Sequence, residues 1–368
     1  MRIGSLCTGI GGIDLAARKF GDIVFQVEKE PFCNRVLQRH FPDVPRFLDA
    51  RMSGLDLPQC DLLMAGFPCQ DLSIVGRREG ISGSKSGLFF DVWRIAQEQD
   101  VRYLFLENVP GIYTSGLDVI VRTITEAGWT IEWTELSARD VGAPHWRRRW
   151  WAICHREPDV LLRQGKEIGG WGRDSYLRRT NQTSLFSHIE SESLSRMPFC
   201  GYAKGDNVYE TKPLYPKLPQ KMLWPTPTTD FRNVKYKQGG TNLHLAVKTW
   251  PTPRSGKPNG DSVERFLRAR AEKKVSTPPL ETAVWIEEST EDGNVNPDWV
   301  DLLMGYPAGY TEPEGEPMTT PLENWMGWES DISRLKVKPK NWRKRLEALG
   351  NSVVPQCVTA VLKEIFDV

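Results

Sequence analysis

The stretch "CDLLMAGFPCQ", residues 60–70, decides the reading of the fold. Leu62 to Ala65 form an unbroken apolar run, the mark of a strand buried on both faces. Gly66 and Pro68 end it in a tight turn that carries a thiol, Cys69. Strand-like runs of the same kind recur at "RIGSLC" (2–7), "DIVFQV" (22–27), "VRYLFLE" (101–107) and "RRWWAIC" (148–154). Between them lie helix-like patterns. Residues 13–20 have helical spacing with Gly21 as a stop, and Pro31 opens a helix running to Phe41. Strands alternating with helices predict an α/β, mostly parallel sheet with helices on both faces. Ligands in such folds sit at the carboxyl ends of the strands. The glycine turn at residues 8–12, Glu28, Cys69 and Glu107 all fall on that rim.

The chain has 368 residues, which predicts about two domains, and 39% hydrophobic with 26% charged residues is ordinary globular composition. The seven cysteines are odd in number, lack a C-x-x-C pair and follow no signal peptide. That pattern predicts a reducing, cytoplasmic location. No apolar run is long enough to span a membrane. Five histidines without paired spacing give no metal signature. Net charge is +1, so bulk charge does not announce a polyanion partner. Arg147-Arg148-Arg149 and "RLKVKPKNWRKR" (334–345) are local basic runs, the second with seven basic residues and no acid. Each alone reads as a solvated face; together with fourteen tryptophans they are consistent with a nucleic-acid partner.

The pattern changes after residue 155. Residues 156–325 are rich in proline, glycine and tryptophan, with a weak repeat, "WPTPTTD" at 224 and "WPTPRSG" at 250. Two copies are too few for a solenoid, so this part reads as an inserted, irregular, β-rich domain. The tail returns to helix: Pro355 suits a first turn, and Val354, Cys357, Val358, Val361, Leu362, Ile365 and Phe366 make one apolar stripe. That stripe wants the sheet of residues 1–155 as its partner. Residues 326–368 would then complete a discontinuous catalytic domain.

Three features could carry chemistry. The turn Thr8-Gly9-Ile10-Gly11-Gly12 lets backbone approach a ligand closely. Glu28, at the end of the next strand, is placed to meet a ribose diol, and Asp49 follows the next apolar stretch. A nicotinamide site is one reading, but the spacing is not G-x-G-x-x-G, and an adenosyl cofactor fits at least as well. Cys69 differs from an ordinary buried thiol because Pro68 and Gln70 flank it at a strand end. The polar, glycine-rich sequence that follows suits a mobile loop over a nucleophile. Glu107 is a carboxyl at the end of a buried strand; alone it reads as a loop brace, beside a nucleophile as an acid.

In this order the motifs resemble one family, the DNA cytosine-C5 methyltransferases. The resemblance runs through "LCTGIGGIDLA", "GFPCQDLS", "SGLFFD", "LENVPG", "GAPHWRRRWW" and "LGNSVVPQ", and the WPTP elements look like phage or prophage members. It implies a Rossmann-like S-adenosylmethionine-dependent methyltransferase domain, with residues 156–325 as target-recognition domain. It implies S-adenosylmethionine as cofactor, double-stranded DNA as substrate, and a monomer. Carried over residue by residue, Cys69 is the nucleophile on cytosine C6, and Glu107 holds N3 and the exocyclic amine. Arg149 meets the base O2, Arg147 supports the loop or the phosphate, and Asn108 braces the Cys69 turn. Glu28 takes the ribose hydroxyls and Asp49 the adenine amine. Thr8, Gly9, Ile10, Gly11, Gly12, Pro68, Leu88 and Asn351 line the cofactor site, while Gln70, Ser73, Arg77 and Arg78 face DNA. The base must leave the stack. Three positions depart from the family's commonest pattern: Cys7 for phenylalanine, His145 for glutamine, and Val75 for a small polar residue in some relatives. The alternative from another class is an inactive DNA-binding relative; retention of Cys69, Glu107, Arg149 and Asn351 together argues against it.

Overall fold

The computed structural model describes residues 1–52, 56–68, 87–156, 178–179, 200–204, 207–210, 284, 294–325, 327–329 and 331–366. Its core is a sheet that starts with β1 (Arg2–Leu6), β2 (Asp22–Val27), β3 (Arg46–Phe47), β4 (Leu62–Gly66) and β5 (Tyr103–Asn108), each parallel to its neighbour in the order β3-β2-β1-β4-β5. Beyond β5 come β7 (Arg148–His155) and then β6 (Thr130–Ser137), both pairings antiparallel. Strand β6 therefore points the same way as β1 to β5, and β7 alone runs back between them. The reversal has a consequence for the site. It brings the start of β7, with its arginines, to the same rim as the carboxyl ends of the other strands.

Strand order turns around between β1 and β4, since β2 and β3 build outward on one side and β5 on the other. Such a switch point opens a crevice at the strand ends. The glycine turn after β1 and the Phe67-Pro68 turn after β4 are its two lips.

Both faces of the sheet are covered, which explains the unbroken apolar runs. Leu62, Met64, Tyr103, Phe105, Trp151 and Ile153 face one core, with helices α1 (Gly12–Ala17) and α2 (Pro31–His40). Leu63, Ala65, Leu104, Leu106, Ala152 and Cys154 face the other, with α3 (Leu88–Glu98) and α5 (Leu117–Glu126), which follows the short α4 (Ile112–Ser115). Successive residues pointing to opposite sides is the strand period of two. Among the described residues, no helix is long and apolar enough to cross a membrane.

The tail stripe docks where the apolar pattern requires. Helix α8 (Pro355–Phe366) buries Cys357, Val358, Val361 and Leu362 in the first core, beside α1. Two features were not legible beforehand. Residues 294–322, read as part of the insert, pack into this same core: α6 (Pro297–Leu303) contributes Trp299, Val300 and Leu303, and Tyr306 and Tyr310 follow. Strands β9 (Gly201–Lys204) and β10 (Asn207–Glu210), also from that region, extend the sheet from β6, with β8 (Arg178–Arg179) beyond them. A short antiparallel pair, β11 (Asn294–Val295) with β12 (Leu335–Lys336), ties the two ends of the return segment together.

The basic run 334–345 is not a free cationic face. Its last residues form the start of α7 (Trp342–Asn351), and four of its seven basic residues have acidic partners. Arg334 pairs with Glu329, Lys336 with Asp298 and Lys340 with Glu314. Arg345 is buried and reaches Asp298 at 2.6 Å, Asp301 at 2.9 Å and Glu312 at 3.5 Å, with Nε on the Thr311 hydroxyl at 2.8 Å. Burial pushes the Asp301 carboxyl up to about 7, while Arg345 and Thr311 pull the other way. Removing Arg345 strands that acid. Arg345→Met is expected to lower stability by about 3 kcal/mol at pH 8. The loss should shrink at pH 5, because Asp301 without its cation takes up a proton at higher pH than before and becomes neutral. Urea unfolding at the two pH values checks both statements, and equal losses would reject the second.

Candidate active site

The site is built on four strand ends. After β1 the chain makes a left-handed turn at Gly9 (φ +59°) and Gly11 (φ +82°), conformations that a side chain would strain. Among the described residues, nothing lies within 4 Å of where a Cβ on Gly9 would sit, so they leave that lip open. Gly11 and Gly12 are the opposite case. A Cβ on Gly11 would come within 2.9 Å of Leu37, and one on Gly12 would run into the Tyr306 hydroxyl. Thr8 is buried and its hydroxyl reaches the Ser5 carbonyl, the Ser5 hydroxyl and the Val27 carbonyl. Below it, Asp14 accepts from Ser5 Oγ and Gln26 Nε2, both at 2.9 Å. Burial pushes the Asp14 carboxyl up to about 6. This polar knot fixes β1, β2 and α1 against one another beneath the turn. Ile10 is buried in the first core.

Glu28 follows β2. One carboxylate oxygen accepts the Gly9 N–H at 2.6 Å and the other the Glu30 N–H at 2.6 Å. Burial raises its pKa, and these backbone donors oppose that. The Glu28 N–H donates to the Phe47 carbonyl at the end of β3. Asp49, two residues further on, is half-buried and accepts the Arg51 N–H at 3.0 Å. The two acids thus share one end of the rim.

Glu107 and Asn108 end β5. Glu107 Oε1 accepts a hydrogen bond from Arg149 Nε at 2.9 Å, both side chains being largely buried. Desolvation raises the Glu107 pKa, against the pull of Arg149 and Arg147. Gly66, on neighbouring β4, makes room for it: a Cβ there would lie 3.1 Å from Glu107 Oε2. Asn108 reaches across to the adjacent turn, with Nδ2 on the Phe67 carbonyl at 2.9 Å and Oδ1 on the Val109 N–H at 2.8 Å. It holds the backbone that leads into exposed Pro68. Cys69, Gln70, Ser73, Val75, Arg77 and Arg78 lie outside the described residues, so their placement rests on sequence.

The three adjacent arginines divide their work. Arg149 engages Glu107. Arg148 is exposed and pairs with Glu135 at 3.2 Å. Arg147 is buried, and its Nη2 donates to the Gly350 carbonyl at 2.9 Å and to the Ser352 carbonyl. Burial lowers its pKa to about 9. It therefore holds the turn that carries Asn351, the exposed last residue of α7. Burial also holds His145 neutral, at about 3, with Nε2 on the Leu303 carbonyl. Leu88 opens α3 and packs half-buried against the second core. Cys7 sits at the β1 end in a left-handed conformation (φ 53°). Trp146, exposed on the rim under the Arg139 guanidinium, carried no signal among fourteen tryptophans.

The arrangement offers an acid held by arginine beside a braced strand-end turn, facing an open glycine turn with two carboxylates. The family model for C-5 cytosine-specific DNA methylase matches residues 1–367. The chain belongs to that family. Among curated relatives of this family member, Type II methyltransferase M.CviJI of Paramecium bursaria Chlorella virus IL3A is 36% identical over 163 residues, 43% of this chain and 44% of the relative. Type II methyltransferase M.HhaI of Haemophilus parahaemolyticus is 32% identical over 161 residues, 42% of this chain and 49% of the relative. The matches thus span about half or less of those relatives' lengths. The crystal structure of S. pombe Dnmt2 methyltransferase covers 100% of this chain and 98% of its own, with TM-score 0.50 and 16% identity. That likeness concerns the fold: a Rossmann-like methyltransferase sheet with helices on both faces.

Proposed function

We propose that this protein methylates C5 of cytosine in a specific double-stranded DNA sequence, with S-adenosylmethionine as donor. The observation that carries the reading is Glu107, buried, raised in pKa and held by Arg149, one strand away from the turn that Asn108 braces. Cytosine C5 is a poor nucleophile. A Cys69 thiolate adding to C6 makes C5 electron-rich, provided N3 receives a proton as the addition occurs. Glu107 is the donor of that proton and a hydrogen-bond partner of the exocyclic amine. Arg149 contacts O2 and orients Glu107. After transfer, loss of the C5 proton to a water or hydroxide expels the thiolate, and N3 returns its proton to Glu107.

The cofactor fits the residues present. Among the described residues nothing crowds Gly9, and the Glu28 carboxylate, held by the Gly9 and Glu30 N–H groups, is an acceptor for the ribose hydroxyls. Asp49 would take the adenine amine, and Thr8, Ile10, Gly11, Gly12, Pro68, Leu88 and Asn351 would complete the pocket. When bound, S-adenosylmethionine supplies an electrophilic methyl group. The chain's own part is to hold the base and the donor at one rim and keep the proton on N3.

The target carbon is hidden in a stacked duplex, so the base must flip out, at a cost of a few kcal/mol. Gln70, Ser73, Arg77 and Arg78 would contact the DNA there, and the insert would read base edges. Neither basic run supplies a ready phosphate track, since most of its members have acidic or carbonyl partners.

Labelled S-adenosylmethionine with mixed-sequence duplex, followed by bisulfite sequencing, tests the proposal. Label at cytosine C5 in one sequence context supports it; label at another base or atom overturns it. Asn108→Asp is a finer probe. The new carboxylate cannot donate to the Phe67 carbonyl, so the turn before Cys69 loosens. Turnover should fall roughly 10- to 100-fold, from a lost buried hydrogen bond. S-adenosylhomocysteine affinity should stay within about twofold of wild type; a matching loss of affinity would place Asn108 in the cofactor site instead.

A further inference from the structure

The segment that leaves the insert does more than close the fold. After α6 the chain turns at Gly305 (φ +83°) and sends two phenols under the cofactor rim. The Tyr306 hydroxyl donates to the Val353 carbonyl at 2.9 Å, and the Tyr310 hydroxyl donates to the Ile10 carbonyl at 3.0 Å. Ile10 belongs to the glycine turn, and Val353 to the turn after Asn351. These are two walls of one site, and each is held through backbone. Both phenols are fully buried.

They are themselves held rigidly. The two rings pack at 4.7 Å, and Tyr310 stacks on His40 at 4.0 Å with 7° between planes. His40 Nδ1 accepts the Met318 N–H, which leaves Nε2 to donate to the Tyr310 carbonyl at 2.7 Å. Arg39 donates to the carbonyls of Gly309, Glu312 and Glu316. On the other side, Arg147 holds Gly350 and Ser352, so the Asn351 turn has donors from both the active-site strand and the return segment. The absent side chain of Gly12 is part of the same fit, because a Cβ there would meet the Tyr306 hydroxyl.

We infer that Tyr306 and Tyr310 are positioning residues for the cofactor site, through which the segment leaving the insert sets the spacing of its two backbone walls. The inference rests on the reading of this rim as an S-adenosylmethionine site. A preformed site loses affinity when its walls are free to move, because ordering them is then part of the cost of binding. Each phenol donates to a backbone carbonyl of the cofactor rim and not to Glu107, Asn108 or Arg149, so the effect belongs to binding and not to turnover.

The test uses the full chain and its Tyr306→Phe, Tyr310→Phe and Gly12→Ala variants, with S-adenosylhomocysteine binding measured by calorimetry without DNA. Each Phe variant is expected to raise Kd roughly 5- to 50-fold, the range for leaving a buried acceptor without its donor. Their kcat at saturating S-adenosylmethionine should stay within about threefold, and melting should fall by no more than about 4 °C. Gly12→Ala should weaken binding strongly in the wild-type background and less beside Tyr306→Phe, where the nearest obstacle, the hydroxyl, is gone and Val353 Cγ2 at 2.9 Å remains. Unchanged Kd with a large fall in melting temperature would overturn the inference, as would losses from Gly12→Ala and Tyr306→Phe that simply multiply. A wild-type chain that binds no S-adenosylhomocysteine would overturn the reading of the rim itself, and the inference with it.

Discussion

Cys69→Ser is expected to abolish methyl transfer, by on the order of 10⁴-fold or more, while leaving DNA and S-adenosylhomocysteine binding close to wild type. The size follows from the substrate. Cytosine C5 gains nucleophilic character only after something adds at C6, and no other group in the proposed site can make that addition. A serine hydroxyl has the right place but stays protonated at neutral pH, whereas a cysteine has an appreciable thiolate fraction and a softer, more reactive sulfur. Single-turnover incorporation of labelled methyl into duplex carrying the recognition sequence is the measurement. Residual transfer above a few per cent of wild type would rule out Cys69 as the nucleophile. A mechanism-based trap such as 5-fluorocytosine in the target should give a stable protein–DNA adduct with wild type and none with the serine variant.

Glu107→Gln carries the second large effect. The Glu107 carboxyl is raised above the ordinary glutamate range by burial, though Arg149 and Arg147 oppose the shift. A larger fraction is therefore protonated at a given pH than for an exposed glutamate, which suits a proton donor to N3. Glutamine preserves the shape and can still hydrogen-bond, but it cannot transfer a proton. Turnover is expected to fall roughly 10²- to 10⁴-fold. The pH profile supplies an independent sign. In wild type the rate should fall as pH rises through the Glu107 value, because the donor is then ionised. The glutamine variant should lack the limb due to this group. A loss below tenfold, or a variant with the same profile as wild type, would show that Glu107 only braces the loop. The buried contact of Glu107 with Arg149 at 2.9 Å makes a second expectation. In the glutamine variant the guanidinium loses its carboxylate, so the melting temperature should also drop, and comparison with the kinetic loss separates support from catalysis.

Much of the framework was open to reading from residues alone because it depends on local pattern. Unbroken apolar runs at 62–65 and 104–106 mark strands buried on both faces, and the intervening helical spacing requires crossovers that make neighbouring strands parallel. The glycine turn at 8–12 was legible as a turn between strand and helix, and its Gly9 and Gly11 adopt left-handed backbone. The tail stripe needed a partner face and found one beside α1. Other features depend on distant pairing. The run 334–345 reads as a cationic face, yet its acids lie at 298, 301, 312, 314 and 329, outside the run. Helix α7 is hidden for the same reason, since a mostly polar helix with one buried arginine shows no wide apolar stripe.

The residue pattern by itself determined the alternating fold, the rim that carries the glycine turn, Glu28 and Glu107, and the chemistry those types suggest, because strand period, helix period and turn conformation are properties of neighbouring residues. Tertiary structure alone decided that β7 runs back between β5 and β6, so that Arg149 arrives beside Glu107 and Arg147 under Asn351. It alone brought Tyr306 and Tyr310, some 300 residues away along the chain, beneath the glycine turn. A contact between residues so far apart leaves no periodic trace, since its energy lies in shape and hydrogen bonds that exist only after the chain has closed.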